Sequence, residues 1–425
     1  MNRKQLLLCC LCFAGRLLAQ DAPPPTSVSI DGLVEQALAN NAELKTFEAE
    51  VEVARGQRTQ AGFFKNPDVS FEVGGREVRD SENILQGNGT TMSISVTQTF
   101  EFPGKGTLRK AIANKNIEIA ELGLEQFRLA LGAQVRLLAY EHLAAITEAD
   151  AAESVYKQSD DLAEQLGKAN NYGARFDIEV RLVQASLVEL GAAIKEASER
   201  REETRTRINA LLGRPQKLPL RISTPFRAPG KSFDENALVF AAQTHNPLLQ
   251  IRRSELDRAA KEITATRLDI APDFAIGPFF SRDAAGDTEQ NIGASVSATI
   301  PVWDWNIGNI HSAQARAAAA EALRVKAERD TESEILSRLR SYELTRRQLS
   351  RIPSGILNDI RGASTTANSQ YLSGSIGAVL YLDSQSAYLN ALRTSQNAVL
   401  DAWRALLDLN LLTGGRLDTP SEPKP

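Results

Sequence analysis

Apolar and polar residues alternate along two stretches of the chain in a way that only a β-strand explains. From Asn291 to Trp305 the even positions Ile292, Ala294, Val296, Ala298, Ile300 and Val302 are apolar. The odd positions Asn291, Gly293, Ser295, Ser297 and Thr299 are small or polar until Pro301. Successive strand side chains point to opposite faces, so this stretch predicts a strand with one greasy and one wet face. Thr91 to Phe102 repeats the pattern, with Met92, Ile94, Val96, Phe100 and Phe102 set against Thr91, Ser93, Ser95, Thr97 and Thr99. Shorter alternating strands precede each, at Asp68–Gly74 and Asp273–Phe280. The intervening Gly75–Thr90 and Ser281–Gln290 are rich in Gly, Asn and Asp and read as loops. Each pair therefore predicts a β-hairpin.

The pattern on either side is helical, and it is written twice. At an offset of 205, Leu33, Ala37, Asn41, Leu44 and Pro67-Asp68 meet Leu238, Ala242, Asn246, Leu249 and Pro272-Asp273. Further on the offset falls to about 201, where Gly173, Gln184, Asn209 and Gly213 meet Gly374, Gln385, Asn410 and Gly414. Such ordered repetition governs the rest of the reading. Helices are predicted from about Ile30 to Phe63 and from about Glu235 to Asp269, the second opened by a Ser232/Glu235 capping box. Pro67 and Pro272 stop them. A very long helix is predicted from about Leu108 to Lys168. Along it Leu131, Val135, Leu138, His142, Ala145, Ala149, Ala152, Tyr156, Ser159, Ala163 and Leu166 form a heptad-like seam of largely small residues. A break at Asn170–Gly173 precedes a helix to Leu212. The second copy runs from about Ile310, is marked by Pro353, breaks near Ser369–Gly377 and returns to Leu412. The predicted division is a signal peptide over 1–19, a first repeat over 26–214, a linker over 215–231, a second repeat over 232–415 and a flexible tail over 416–425.

Composition narrows the function classes. The start has basic Arg3 and Lys4, an apolar run from Leu6 to Gly15 and a candidate cleavage site after Ala19, as a secretory leader does. All three cysteines, Cys9, Cys10 and Cys12, lie in that leader, so the mature chain is expected to hold no thiol. Losing Arg3, Lys4 and Arg16 leaves 46 basic against 53 acidic residues, a net charge of −7, which argues against nucleic acid as a partner. No run approaches the roughly 18 apolar residues of a spanning helix. A membrane would have to be entered by strands. Four strands fall short of the roughly eight of the smallest barrels, so several chains would share one barrel.

These features together resemble the TolC-type outer-membrane efflux factors, nearest in appearance to the CusC and CzcC branch. The resemblance rests on the repeated openings ALANNAEL and AAQTHNPLL and on the junctions QTFEFPGKG and ATIPVWDWNIG. The Tyr-Gly breaks followed by VQASL and DSQSAYL complete it. It implies a mainly α protein with a small membrane β-barrel contribution. A duplicated helix–hairpin–long helical hairpin unit would give four strands per chain, which complete a barrel in a homotrimer. It further implies a periplasmic stem that meets a periplasmic adaptor protein and an inner-membrane efflux pump, with outer-membrane lipid around the barrel. Small molecules or metal ions would leave through it. The alternative is a secreted or periplasmic helical scaffold or binding protein without a channel.

No catalytic site, cofactor or metal site is expected. His142, His245 and His311 lie in separate elements, whereas metal ligands cluster. GxGxxG, GxSxG, HExxH and Walker A patterns are absent. Gly104-Lys105-Gly106 reads as a tight strand-to-helix turn rather than a phosphate loop. Trp303 and Trp305, at a strand end, read as an interfacial aromatic belt. The candidate functional residues are at the two helical breaks. Tyr172, Gly173, Asp177 and Glu179 belong to the first, flanked by Arg175 and Arg181, and Tyr371 and Gly374 to the second. Together they predict a periplasmic tip or constriction, with the acidic pair supplied by one hairpin only.

Overall fold

The computed structural model describes residues 27–168, 174–353 and 355–417. The leader, Tyr172, Gly173 and most of the tail lie outside these. The first predicted helix is two helices, α1 (Ile30–Asn40) and α2 (Ala42–Gln60). Asn41 divides them because its side chain competes with the helical backbone. Its Oδ1 accepts from Leu44 N at 3.0 Å, and its Nδ2 donates to Leu211 O at 3.1 Å. Both helices end before Pro67, so the proline stands beyond the stop rather than making it.

The hairpins are longer than the alternation suggests. β1 (Asp68–Arg79) and β2 (Leu85–Phe100) pair antiparallel, as do β3 (Phe274–Ala285) and β4 (Asp287–Ala298). The predicted loops are therefore mostly strand. True turns occupy only Asp80–Ile84, where the Asp80 carboxylate accepts from Glu82 N and Ile84 N, and Gly286, at φ 96°. Backbone pairing carries the ladder past the apolar residues, and cross-strand charge does the rest. Arg76 meets Asp283 at 2.7 Å. β2 also pairs with β3, giving one sheet in the order β1-β2-β3-β4.

The chain then enters α3 (Lys105–Lys168), 64 residues and about 95 Å long. α4 (Ala174–Leu211) returns beside it. The predicted seam is real. Leu131, Val135, Leu138, His142, Ala145, Ala149, Ala152 and Ser159 are all buried.

The second half repeats this order with one more break. α5 (Glu235–His245) and α6 (Pro247–Leu268) again replace one predicted helix. Asn246 divides them, accepting from Leu248 N and Leu249 N and donating to Leu412 O at 2.9 Å. The N-cap of α5 is Asp234, which accepts from Ala237 N, not Ser232. After β4 come α7 (Ile307–Ser350), α8 (Ile356–Leu372) and α9 (Ala378–Leu412). Pro353 lies in the gap between α7 and α8, where it cannot donate to a helical ladder.

The main core lies where both halves meet, around Leu33, Val135, Leu212, Tyr342, Trp403 and Leu406. Tyr140 stacks on Trp403 at 4.3 Å, and Trp403 Nε1 donates to Arg227 O at 2.7 Å. Tyr342 Oη donates to Lys231 O at 2.7 Å. The segment between the halves is thus tied to the core by its own carbonyls. Among the described residues no helix is long and apolar enough to cross a membrane.

Candidate functional site

The sheet has two unlike faces. Cross-strand partners share a face, and the registers place Val69 with Val96, Phe71 with Ile94, Ile94 with Phe280, Ile276 with Val296 and Phe280 with Ile292. This face is apolar across all four strands apart from Gln98 and Arg282, and it is turned to solvent. Ile292 is 84% exposed and Val296 71%. The opposite face carries Ser70, Glu72, Ser93, Ser95, Ser281, Asn291, Ser295 and Ser297. Ser70 and Ser95 are hydrogen-bonded there at 2.7 Å. A sheet that exposes its greasy side and lines its other side with hydroxyls suits lipid outside and water inside. Phe279 departs from the pattern by lying on the wet face, over Gly293.

At the far end of the stem α3, α4, α8 and α9 pack together. Leu162 of α3, Val183 of α4, Ala367 and Tyr371 of α8, and Ala378 and Tyr381 of α9 form one buried cluster. Tyr371 stacks on Tyr381 at 5.7 Å, and Tyr381 Oη is 3.0 Å from Ser159 Oγ. Of the residues marked by sequence, Tyr371 Oη donates to Glu179 Oε2 at 3.3 Å, which joins the second hairpin to the first. Burial, then the neighbouring Glu179 carboxylate, push the Tyr371 phenol up to about 12. Gly374 stands at φ 73° and ends α8, its N–H donating to Tyr371 O at 2.9 Å. Asp177 is exposed in the first turn of α4. Glu179 is half-buried, so the two carboxylates do not share one environment.

Residues 33–214 match the family of outer membrane efflux proteins. That stretch, which runs from α1 through α4, is similar to the members of that family. Solved structures share its fold over nearly the whole length. The CusC transmembrane channel has 15% identity and a TM-score of 0.72, covering 92% of this chain and 93% of its own. The CmeC outer membrane channel of Campylobacter jejuni has 15% identity and a TM-score of 0.71, covering 95% and 92%. The open-state MtrE outer membrane channel of Neisseria gonorrhoeae has 17% identity and a TM-score of 0.72, covering 91% and 89%. CusC and CmeC are equally similar in identity, so the likeness is to an architecture shared across these channels rather than to the CusC branch alone. No curated protein matches the chain by sequence.

The chain also has a built junction between sheet and stem. Gly104, at φ 104°, turns the chain from β2 into α3. The next residue, Lys105, donates from Nζ to Ala271 O and to Asp273 Oδ1, both at 2.8 Å. Burial works to raise the Asp273 pKa, but Lys105, Phe102 N–H and Lys65 outweigh it and hold the carboxyl below its ordinary range. The lysine of the Gly-Lys-Gly turn is thus committed to the fold, as a structural turn requires.

Among the described residues no group of three His, Cys, Asp or Glu side chains could hold a metal ion. His142 is buried in the α3 seam with Nδ1 2.9 Å from Thr204 Oγ1, and burial pushes its pKa down. Sequence reading missed Glu148, which is buried and bridges Arg200 of α4 at 2.8 Å and Arg393 of α9 at 2.7 Å. Glu148 and Arg393 line a cleft of about 440 Å³ between α3, α4 and α9. No local pattern marks them, because the partners lie 52 and 245 residues away in sequence.

Proposed function

We propose that this chain is the exit duct of a tripartite efflux system, a homotrimer with no chemistry of its own. Three four-stranded sheets close a barrel in outer-membrane lipid. The long helices stand in the periplasm, where a periplasmic adaptor protein connects them to an inner-membrane pump. Small molecules or metal ions cross the duct. Two repeats, 26–214 and 232–415, joined by 215–231, supply the halves of each subunit. The tip formed at Asp177, Glu179, Tyr371 and Gly374, with the neighbouring Tyr172 and Gly173, closes the resting duct and meets the adaptor.

One observation carries this reading. A sheet with two open edges and an exposed apolar face sits on a stem about 95 Å long, and neither feature suits a chain alone in water. The test is extraction followed by reconstitution. The protein is expected to stay with outer membranes until detergent is added, to have the mass of three chains, and to conduct ions in a planar bilayer. Recovery as a soluble single chain from the periplasm overturns the proposal.

A further inference from the structure

The two edges of the sheet are β1 and β4, each paired on one side only among the described residues. The β2–β3 seam inside the sheet is where the first repeat meets the second. Because the chain is a repeat, a second copy would present its β1 to β4 as β3 is presented to β2. The structure fixes how the repeats superpose. Asp68 and Asp273 correspond, each following a proline. Thr97 faces Asp68, and Ala298 faces Phe274, so Thr299 is the position facing Asp273. β2 and β4 therefore correspond at an offset of 202 residues. Two independent features agree with that offset. Gly104 and Asn306 are the positive-φ residues at the two strand-to-helix turns, at 104° and 55°. Lys105 and Ile307 are the first residues of α3 and α7.

We propose that β4 pairs antiparallel with β1 of a second copy in the register that sets Ala298 opposite Val73. This rests on the channel reading above and gives its subunit interface. The observed pairs Ile94–Phe280, Gln98–Ile276 and Phe100–Phe274 map onto Val296–Gly75, Ile300–Phe71 and Val302–Val69. All of these fall on the apolar face, and a shift by one residue would put them on the wet face. The pairing also accounts for a mismatch between sequence and structure. Alternation in the sequence continues to Val302, yet β4 ends at Ala298, and Ile300 and Val302 remain 74% and 60% exposed. β2 reaches Phe100 because Phe274 pairs with it. A neighbouring Val69 and Phe71 extend β4 to Val302 in the same manner. Pro301 gives up one ladder hydrogen bond near the strand end, where proline is tolerated.

Disulfide trapping tests the register, since the chain has no cysteine after Cys12. Directly opposed Cβ atoms lie within disulfide reach, whereas diagonal neighbours, about 7–8 Å apart, do not. Two double variants are oxidised with copper phenanthroline in detergent. Val73→Cys with Ala298→Cys probes the apolar face, and Gly74→Cys with Ser297→Cys the wet face. Between them they sample both alternating pair geometries. Phe71→Cys with Ala298→Cys, two residues out of register, is the control. At least one in-register pair is expected to give chains linked to one another at least ten times faster than the control. If wild type has the mass of three chains but the control links as fast, or neither in-register pair links, the register is overturned and the assembly stands. If wild type has the mass of one chain, the assembly falls and the register with it.

Discussion

In the first half, Asn41 clamps the end of α4 and Gly213 turns away at φ 65°; in the second, Asn246 clamps the end of α9 and Gly414 turns at φ 67°. Arg214 N–Asn209 O and Gly415 N–Asn410 O close the two helix ends alike. Away from this equator the halves diverge. The first sends out one unbroken helix of 64 residues, and the second splits its counterpart at Pro353. The Lys105–Asp273 lock holds the first strand-to-helix turn; at the second, Asn306 donates from its side chain to Thr266 O at 2.9 Å and from its N–H to Asp304 Oδ1 at 2.8 Å. What the halves share is what the core needs. They differ at the strand-to-helix turns and along the long helices.

The clamps should be the most costly place to intervene. A Cβ at Gly414 would lie 2.2 Å from His245 O, and at Gly213 2.8 Å from Asn40 O, both with positive φ. Gly414→Ala is expected to cost about 3–5 kcal/mol, combining backbone strain with a clash that no side chain can relieve. Gly213→Ala should cost about 2–3 kcal/mol by the same reasoning, with a less severe clash. Thermal unfolding followed by circular dichroism measures both. If Gly213→Ala proved the worse, the two clamps would not be equivalent in the way their geometry states.

Next in size are the strand faces, which should behave alike in both hairpins. Val296→Arg is expected to cost about 2–4 kcal/mol if the residue sits near the bilayer midplane, and Ile94→Arg the same. Ser295→Arg should cost far less, because its side chain joins the hydroxyl-lined face. Heat dissociation of the reconstituted protein reads the difference. Equal damage from Val296→Arg and Ser295→Arg would refute the assigned faces.

The faces, the long seam and the duplication were legible because each is periodic, and periodicity survives in a single sequence. Strand length was not legible. Arg76, Asp283 and Glu289 sit in stretches that read as loops, and only their cross-strand pairing makes them strand. Asn41 and Asn246 were visible as a repeated pair. Their splitting of each first helix depends on carbonyls some 170 residues away, Leu211 and Leu412, which no local pattern encodes. Likewise Tyr371 and Glu179 were both marked by sequence. Their mutual contact, 192 residues apart, comes from the packing of α4 against α8 and α9, which no local pattern encodes.

The smallest effects should come from the tip, where the halves differ in the charge they contribute. Tyr371 gives up its proton less readily than in an unfolded chain, reaching about 12 against roughly 10 in model peptides. Its contribution to stability is therefore complete below about 10 and lost as pH rises through the folded value. Tyr371→Phe removes the donor to Glu179 and should cost about 1–2 kcal/mol, with a correspondingly weaker alkaline loss. In a trimer the exposed Asp177 would be repeated three times, and mutual repulsion of such carboxylates is relieved by cations. Divalent cations added on the tip side of a planar bilayer are expected to lower wild-type conductance. Asp177→Ala should escape that block, while Tyr371→Phe, which keeps Asp177, should not. If Asp177→Ala is blocked as wild type is, the acidic ring is wrong, although the Tyr371–Glu179 contact would still hold the two hairpins together.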